Sequence, residues 1–273
     1  MIEIGCQTYS LRHHPTSEML ACARKAGFRA LELWVGHADH AGGPALAARV
    51  RAAAEDTGLR IHAYSAGGFV RTALADVEER LASAFRFAAT LGTDLVTGVV
   101  DRRAVPIVDA LCRETGMRFG IENHWYADFA RAEDYLAALG GTSPFVGVTL
   151  DTGHLTAAGQ RPAAALLLLG ERVFDVHLKD VVMSNRLERW VLRRPRMEAR
   201  TVGNGDADLV PFLGALAADG YRGALAIEDE RPELPLSELQ ASLRATSRIL
   251  RAAPASPAVL QMSMMAPPAP GGS

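Results

Sequence analysis

Residues 115–124 of the chain are Thr-Gly-Met-Arg-Phe-Gly-Ile-Glu-Asn-His. A glycine that can end a helix in the left-handed conformation is followed at once by a short apolar run. The run ends on a glutamate, and a histidine stands two residues later. This order predicts a helix that ends, a β-strand that begins immediately, and polar chemistry where that strand ends.

The same connection, in which a glycine links the end of a helix to the start of a strand, recurs at intervals of roughly thirty residues, the size of one strand-helix unit. Its other copies contain Gly27, Gly58, Gly92 and Gly220, each just before an apolar run. Together with the first strand and two further runs, the pattern predicts eight strands, at 2–8, 30–35, 60–65, 94–100, 117–122, 145–151, 173–178 and 223–228. Helices are expected at 16–26, 44–57, 72–91, 104–115, 131–139, 162–169, 208–219 and 236–252.

Eight alternating strands and helices in about 250 residues predict an α/β fold, the (β/α)8 TIM barrel. An open, doubly wound sheet is the rival fold, and it usually carries a glycine-rich phosphate loop near its first strand. Residues 7–12, Gln-Thr-Tyr-Ser-Leu-Arg, contain no such loop. We assign residues 1–251 to a single barrel domain and the Ala-, Pro-, Ser-, Met- and Gly-rich residues 252–273 to a disordered tail.

Composition describes an ordinary soluble globular protein of 273 residues, with 49% hydrophobic and 22% charged residues. A formal charge of −2 argues against nucleic acid as a partner, because that partner needs a basic surface. No segment has the character of a signal peptide or a membrane span, so no membrane partner is expected. The three cysteines form no CxxC pair, which favours reduced thiols in a cytoplasmic protein.

Four predicted strand ends carry an acidic residue or an imidazole: Glu122, Asp151, His177 and Glu228. In a closed barrel of parallel strands these ends converge on one mouth. Three carboxylates and one imidazole suit a hard or borderline divalent cation. We therefore predict one divalent metal ion per chain, with Mn²⁺ placed first and Mg²⁺ or Co²⁺ as alternatives.

Each of these residues also has a structural interpretation. Glu122 could be a strand-end charge that meets solvent, Asp151 could cap the following turn, and His177 could be a core histidine. Glu228 could belong to a solvated run of acids at 228–230. A cation explains why the carboxylates coexist in one pocket, because it offsets a repulsion that would otherwise raise their pKa values.

The motifs that contain these residues resemble those of the xylose-isomerase-like TIM-barrel superfamily. They are Ile-Glu-Asn-His at 121–124, Asp-Thr-Gly-His at 151–154, His-Leu-Lys-Asp at 177–180, Gly-Asn-Gly-Asp at 203–206 and Ile-Glu at 227–228. The chain is most similar to the sugar-phosphate isomerase/epimerase branch, which includes ketose 3-epimerases, hydroxypyruvate isomerases and inosose dehydratases. The resemblance extends to about residue 250.

The resemblance implies that Glu122, Asp151, His177 and Glu228 bind the metal. It also implies that Glu122 and Glu228 act as acid and base while they touch the metal. For His154 it implies substrate binding, although that histidine could instead orient Asp151.

Other residues near the predicted mouth are candidates for substrate binding. His124 and Trp125 follow Glu122, and Trp125, Trp34 and Tyr9 could form an apolar wall for a sugar ring or could simply pack the top of the barrel. His62, expected near the end of the third strand, is either a pocket residue or structural. Lys179 shares a strand face with His177 and could polarise a substrate oxygen.

This set of groups predicts a metal-dependent isomerase or epimerase that acts on a sugar, ketose or polyol-derived substrate. The metal would stabilise an enediolate while the two glutamates move the proton. Expulsion of a β-hydroxyl by the same groups would give a lyase or dehydratase, and the sequence leaves this choice open. It also leaves open whether the substrate is phosphorylated and whether the chain forms a homo-oligomer.

Two further classes are weaker alternatives. A nuclease like the apurinic endonucleases would need several zinc ions and further histidines, but strand four ends without a histidine at 97–100 and the segment after Gly203 contains none. A non-catalytic barrel would not need the complete set of ligands.

Six arginines lie between residues 186 and 200. They predict either a lid that clamps a phosphate or carboxylate, or a solvated helix or subunit contact.

Overall fold

The computed structural model of the chain describes residues 2–184 and 197–252. Within these residues, eight parallel strands close into a barrel in which strands that follow one another along the chain are neighbours, and the last barrel strand pairs with the first. The barrel strands are β1 Ile4–Gln7, β2 Ala30–Trp34, β3 Arg60–Gly68, β4 Leu95–Val99, β5 Arg118–Glu122, β6 Val146–Asp151, β7 Val173–Leu178 and β10 Ala224–Ile227. The predicted (β/α)8 barrel is confirmed.

Helices surround the barrel. They are α1 Thr16–Ala26, α2 Gly43–Asp56, α3 Leu74–Leu91, α4 Val105–Thr115, α5 Ala132–Leu139, α6 Thr152–Ala157, α7 Pro162–Leu169, α8 Leu209–Ala218 and α9 Leu236–Ala252. The sequence did not predict the short α6 or the antiparallel pair β8 Asp180–Met183 and β9 Met197–Arg200, which stands apart from the barrel.

Glycines end helices where the sequence predicts. Gly92 and Gly116 have φ values of 88° and 67°, and each amide donates to a carbonyl of the helix before it. A side chain in this left-handed conformation would be strained, so glycine lets the chain turn into the next strand without that cost.

The apolar core fills the layer between the strands and the helices. Along β7, Val176 and Leu178 belong to this core, whereas the alternating residues Asp175, His177 and Lys179 share the other face of the strand. All three polar side chains are nevertheless buried, so the barrel interior holds a column of ionisable groups.

None of the described helices is long and apolar enough to cross a membrane. The three cysteines are free, as the sequence predicts. Five of the six arginines in the Arg-rich segment, and the tail from residue 253 on, lie outside the described residues. Ala252, assigned to the tail from the sequence, is the last residue of α9.

Candidate metal centre

Four side chains meet at the carboxyl ends of four barrel strands. Glu122 ends β5, Asp151 ends β6, His177 is the penultimate residue of β7, and Glu228 directly follows β10. Each offers one ligand atom, and these atoms all lie within 4.8 Å of one another. The structure therefore brings the four predicted ligands together in a cluster that could hold a metal ion.

The ring of His177 lies at the centre of the cluster. Its Nδ1 is 3.2 Å from Glu122 Oε1, 3.4 Å from Glu228 Oε2 and 3.9 Å from Asp151 Oδ2. These separations bring three carboxylate oxygens and one imidazole nitrogen close together, within a buried site. A metal ion bound among these atoms would replace the proton that otherwise lies between His177 Nδ1 and the carboxylates.

Asp151 has two separate tasks. Its Oδ1 accepts a hydrogen bond from the amide of His154, 2.8 Å away, and so caps α6. Its Oδ2 is buried and has no hydrogen-bond partner, and Oε2 of Glu228 is in the same condition. Buried carboxylate oxygens without a hydrogen bond are costly unless a cation satisfies them. The Lys179 ammonium contacts both oxygens, and a metal ion could take its place, so these residues fit a metal.

The neighbouring Asn123 holds Asp151 in position. Its side-chain Nδ2 donates to the carbonyl of Asp151 at 3.1 Å, and its Oδ1 accepts from the Asp151 amide at 2.7 Å. This pair of bonds fastens the end of β5 to the end of β6 and gives a physical role to the asparagine of the first motif.

Lys179 is fully buried beside the cluster. Its Nζ lies 2.8 Å from Asp151 Oδ2, 3.0 Å from Glu228 Oε2 and 2.9 Å from Glu230 Oε1. The first two contacts are short but lack hydrogen-bond geometry, whereas the contact with Glu230 is a hydrogen bond. Glu228 therefore does not belong to a solvated run of acids, since Glu230 pairs with Lys179 and Asp229 pairs with Arg231.

The pKa values of the cluster follow from burial and from these neighbours. Burial alone would raise the pKa of Glu122, but His124 and His177 hold it well below its ordinary value. Burial raises the pKa of Asp151 to about 6 against the opposing charge of Lys179. Burial would also raise the pKa of Glu228, but Lys179 and His177 lower it to about 2.

The two cationic groups are shifted in the opposite sense. Burial would lower the pKa of His177, but Glu32 and Glu122 raise it well above its ordinary value. Burial would lower the pKa of Lys179 as well, but Asp151, Glu228 and Glu230 raise it well above 10.5. Without a metal, an imidazolium and an ammonium balance the carboxylates.

A cavity of about 430 Å³ opens above the cluster, at the mouth of the barrel. Among the residues that line it are Trp34, Trp125, Tyr9, His124 and His154, with Glu122 and Glu228 at its floor. The aromatic residues predicted to form an apolar wall therefore do face this space. Tyr9 and Trp34 are packed edge to face, with ring centroids 5.0 Å apart.

The two histidines of the mouth differ in their environment. His124 Nε2 lies 3.1 Å from Glu122 Oε1, and although burial would lower the pKa of His124, Glu122 raises it. His154 is buried, neither of its ring nitrogens has a hydrogen-bond partner, and burial lowers its pKa well below the ordinary value. A neutral His154 could donate or accept a hydrogen bond with a molecule in the cavity.

The predicted position of His62 is wrong. It is the third residue of β3, whose carboxyl end is Gly68, and it lines a cavity at the amino-terminal ends of the strands. Burial there lowers the pKa of His62 to about 4. His62 is therefore remote from the mouth and is not a candidate for substrate binding there.

Two buried carboxylates beneath the cluster, Glu32 and Asp175, were not predicted from the sequence. Glu32 Oε2 lies 2.7 Å from His177 Nε2, and burial together with Glu32 raises the pKa of Asp175 well above its ordinary value. The available signal was a charged residue in the middle of an apolar strand, Ala-Leu-Glu-Leu-Trp at 30–34 and Val-Phe-Asp-Val-His at 173–177.

The remaining motifs shape the loop beside the mouth. Asp180 accepts hydrogen bonds from the amides of Gly203, Gly205 and Ala207, so the Gly-Asn-Gly-Asp segment is wrapped around one carboxylate. Arg200, the one described arginine of the Arg-rich segment, pairs with Glu198 on β9.

Comparison with known proteins agrees with this architecture. The sequence profile of the xylose isomerase-like TIM barrel family matches residues 20–252. Inosose dehydratase from Clostridium tetani is 29% identical over 146 residues, which cover 51% of this chain and 49% of the relative. The chain thus spans about half the length of the curated relatives it matches.

Two solved structures show the same fold. An L-ribulose 3-epimerase superposes with a TM-score of 0.73 at 18% identity, covering 99% of this chain and 100% of the other. The IOLI protein, solved with a zinc atom, superposes with a TM-score of 0.71 at 16% identity, covering 93% and 100%. At these identities the likeness concerns the fold alone.

Proposed function

The chain belongs to the xylose isomerase-like TIM barrel family, and from that premise we propose that it is a divalent-metal-dependent isomerase or epimerase of a small sugar, ketose or polyol-derived ketone. One observation carries the proposal. The buried ligand atoms of Glu122, Asp151, His177 and Glu228 lie within 4.8 Å of one another, under a cavity large enough for a small sugar.

Asp151, Glu122, Glu228 and Nδ1 of His177 would hold the ion. When bound, a divalent cation supplies Lewis acidity, which makes the C–H bond beside a substrate carbonyl easier to deprotonate. Three carboxylates and one imidazole suit Mn²⁺, Mg²⁺ or Co²⁺. The zinc atom in the IOLI structure adds Zn²⁺ to the ions worth testing.

The chain's own residues would move the proton. Glu122 and Glu228 enter the site from β5 and from the end of β10, which are not neighbours in the barrel, so they can approach a substrate carbon from different sides. Both carboxylates have lowered pKa values and are ionised at neutral pH, as a base must be. Return of the proton to the opposite face gives epimerisation, and its return to the adjacent carbon gives isomerisation.

The cationic and aromatic residues would orient the substrate. The Lys179 ammonium lies against Glu228 and Asp151 and can donate to a substrate oxygen. The free nitrogens of His154 and the ring of His124 can bind hydroxyl groups, and Trp34 and Trp125 can cover the apolar face of a sugar ring.

A dehydratase is the second candidate, favoured by the similarity to inosose dehydratase. Both reactions begin with removal of a proton beside a carbonyl. They differ in the next step, because a dehydratase expels a β-hydroxyl group, and Lys179 or His124 could supply the proton that this leaving group needs.

The test is a substrate panel in deuterated water. Protein loaded with Mn²⁺ or Co²⁺ would be incubated with ketopentoses, ketohexoses and a keto-inositol, and the products followed by NMR and mass spectrometry. We expect solvent deuterium at a carbon beside the carbonyl, with an isomer at unchanged mass apart from the label. Loss of one water would select the dehydratase, and turnover by metal-free protein would refute the metal-dependent mechanism.

Glutamine variants test the acid–base pair. Glu122→Gln and Glu228→Gln each keep an oxygen for the metal but lose the base, so each should lower kcat by about 10² or more. Near-normal turnover in both variants, with metal still bound, would remove the two glutamates from the proposed mechanism.

A further inference from the structure

A further carboxylate lies behind the candidate metal cluster, on the far edge of the His177 ring. Glu32 is fully buried in the middle of β2, and its Oε2 is 2.7 Å from His177 Nε2. The opposite ring nitrogen, Nδ1, is the one that faces Glu122 and Glu228. The ring is therefore held between a carboxylate below it and the cluster above it.

We propose that Glu32 is a positioning residue that selects the metal-binding nitrogen of His177. By accepting a hydrogen bond from Nε2–H, Glu32 keeps the proton on that nitrogen and leaves the Nδ1 lone pair for the ion. It also fixes the rotation of the ring and makes Nδ1 a more basic ligand. The inference rests on the proposed metal dependence and extends it to a residue that does not touch the metal.

Glu32 is itself held rigidly. Thr97 Oγ1 on β4 donates to Oε1 of Glu32, so each carboxylate oxygen has its own partner. The flanking residues Leu31 and Leu33 are buried in the apolar core, which leaves the Glu32 side chain on the interior face of the barrel. A buried carboxylate with both oxygens engaged has little freedom to move, as an orienting group requires.

Geometry distinguishes this role from a purely structural one. A core carboxylate needs only some donor for each oxygen. Here the hydrogen-bond donor is Nε2 of His177, and the other nitrogen of the same ring, Nδ1, lies 3.2–3.9 Å from three carboxylate oxygens. Loss of Glu32 would leave Nε2 without this acceptor in the buried interior, so the ring could turn or carry its proton on Nδ1.

The first test measures metal binding rather than activity. Isothermal titration with Mn²⁺ would compare wild type with Glu32→Ala, Glu32→Gln and Asp175→Asn. We expect Glu32→Ala to weaken Mn²⁺ binding about 10–100-fold, the usual cost of losing a partner that orients a ligand. Glu32→Gln keeps an amide oxygen that can accept from Nε2–H, so it should restore part of the loss.

Asp175→Asn is the matched control. Asp175 lies in the same buried layer as Glu32, and one of its carboxylate oxygens is within 4.8 Å of a carboxylate oxygen of Glu32, but it has no hydrogen bond to the His177 ring. The asparagine has the same size, so Mn²⁺ affinity should stay close to that of wild type. Equal weakening by Asp175→Asn and Glu32→Ala would indicate general disruption of the layer and overturn the specific role of Glu32.

A second measurement applies even if Glu32→Ala does not fold. Histidine-¹⁵N NMR of Zn²⁺-loaded wild-type protein would show which nitrogen of His177 carries the proton. We expect the proton on Nε2, and a proton on Nδ1 would overturn the proposal. The Mn²⁺ titration offers one more outcome. If wild type bound two Mn²⁺ ions per chain and Glu32→Ala lost one of them but bound the other as before, Glu32 would belong to a separate metal site, and the proposal would be overturned.

The two proposals fail differently. If wild-type protein binds no divalent ion, the metal-dependent function is refuted, and this inference with it. If wild type binds Mn²⁺ and Glu32→Ala binds it equally well, only the role of Glu32 is refuted.

Discussion

Replacement of Lys179 by methionine tests whether the cluster is built to receive a cation. The substitution keeps most of the side-chain volume but removes the ammonium that lies 2.8 Å from Asp151 Oδ2 and 3.0 Å from Glu228 Oε2. Two buried carboxylates then lose their nearest cationic partner, and breaking a buried ion pair in this way costs about 3–5 kcal/mol. Metal-free protein should lose that amount of unfolding free energy.

The magnitude depends on pH. Asp151 can escape part of the cost by taking up a proton, and its pKa is already raised to about 6. The destabilisation should therefore be larger at pH 8 than at pH 5. For a domain of this size, each 1 kcal/mol shifts Tm by about 2–4 °C, so a decrease on the order of 10 °C is expected at pH 8.

A divalent cation should reverse the defect. Lys179 and the metal compete for the same carboxylates, so the variant should bind Mn²⁺ more tightly than wild type and gain more stability from it. Calorimetric unfolding with and without Mn²⁺ measures both effects. Lys25→Met, at the exposed and only other lysine of the sequence, is the matched control and should change neither.

Two results would refute this reasoning. The first is equal Tm values for the Lys179→Met and Lys25→Met proteins without metal. The second is a difference in Tm between Lys179→Met and wild type that stays the same when Mn²⁺ is added, because the ammonium would then not occupy the place of a cation.

Two further predictions concern the same cluster. A Cβ at Gly153 would lie 2.8 Å from Cγ and Cδ of Lys179, so Gly153→Ala should lower the free energy of unfolding by about 1–3 kcal/mol. Gly141→Ala is the control, because a Cβ there meets nothing within 4 Å, and it should leave the free energy of unfolding unchanged. The pKa of Asp151 is raised to about 6 in the folded protein, and the pKa of His177 is raised well above its ordinary value, so both groups must lose protons to bind a metal. Mn²⁺ affinity should therefore fall as pH drops through about 6. Titration calorimetry in buffers of different ionisation enthalpy should detect the proton release. A pH-independent affinity between pH 5 and 8 would contradict the second prediction.

Most of the fold could be predicted because local signals and the global fold agree. The helix that ends at Leu91 is followed by Gly92 with φ 88°, and β4 starts at Leu95, within one residue of the prediction. Glycine caps and apolar runs act over a few residues, so they are legible in one sequence. The short α6 was missed because Asp151 ends a strand and caps a helix at once, leaving no loop between them.

Positions inside the barrel were harder to predict. His62 and Glu32 are both polar residues within buried strands, but one lines the cavity at the amino-terminal ends and the other contacts His177. Which end of the barrel a side chain reaches depends on where its strand begins and on the stagger between strands. β3 continues to Gly68, beyond the predicted residue 65, so His62 lies farther from the mouth than the sequence suggested.

The cluster of Glu122, Asp151, His177 and Glu228 could be predicted because its residues stand at strand ends, where topology alone brings them together. The groups that orient them are set by contacts between different strands: Glu32 of β2 with His177 of β7, and Asn123, directly after β5, with Asp151 of β6. Asp151 also shows why such a site can be rigid, because the oxygen that caps α6 fixes the direction of the oxygen that faces the other three residues of the cluster. The fold thus supplies orientation as well as proximity, since the bonds that terminate the strands are the same bonds that aim the ligands.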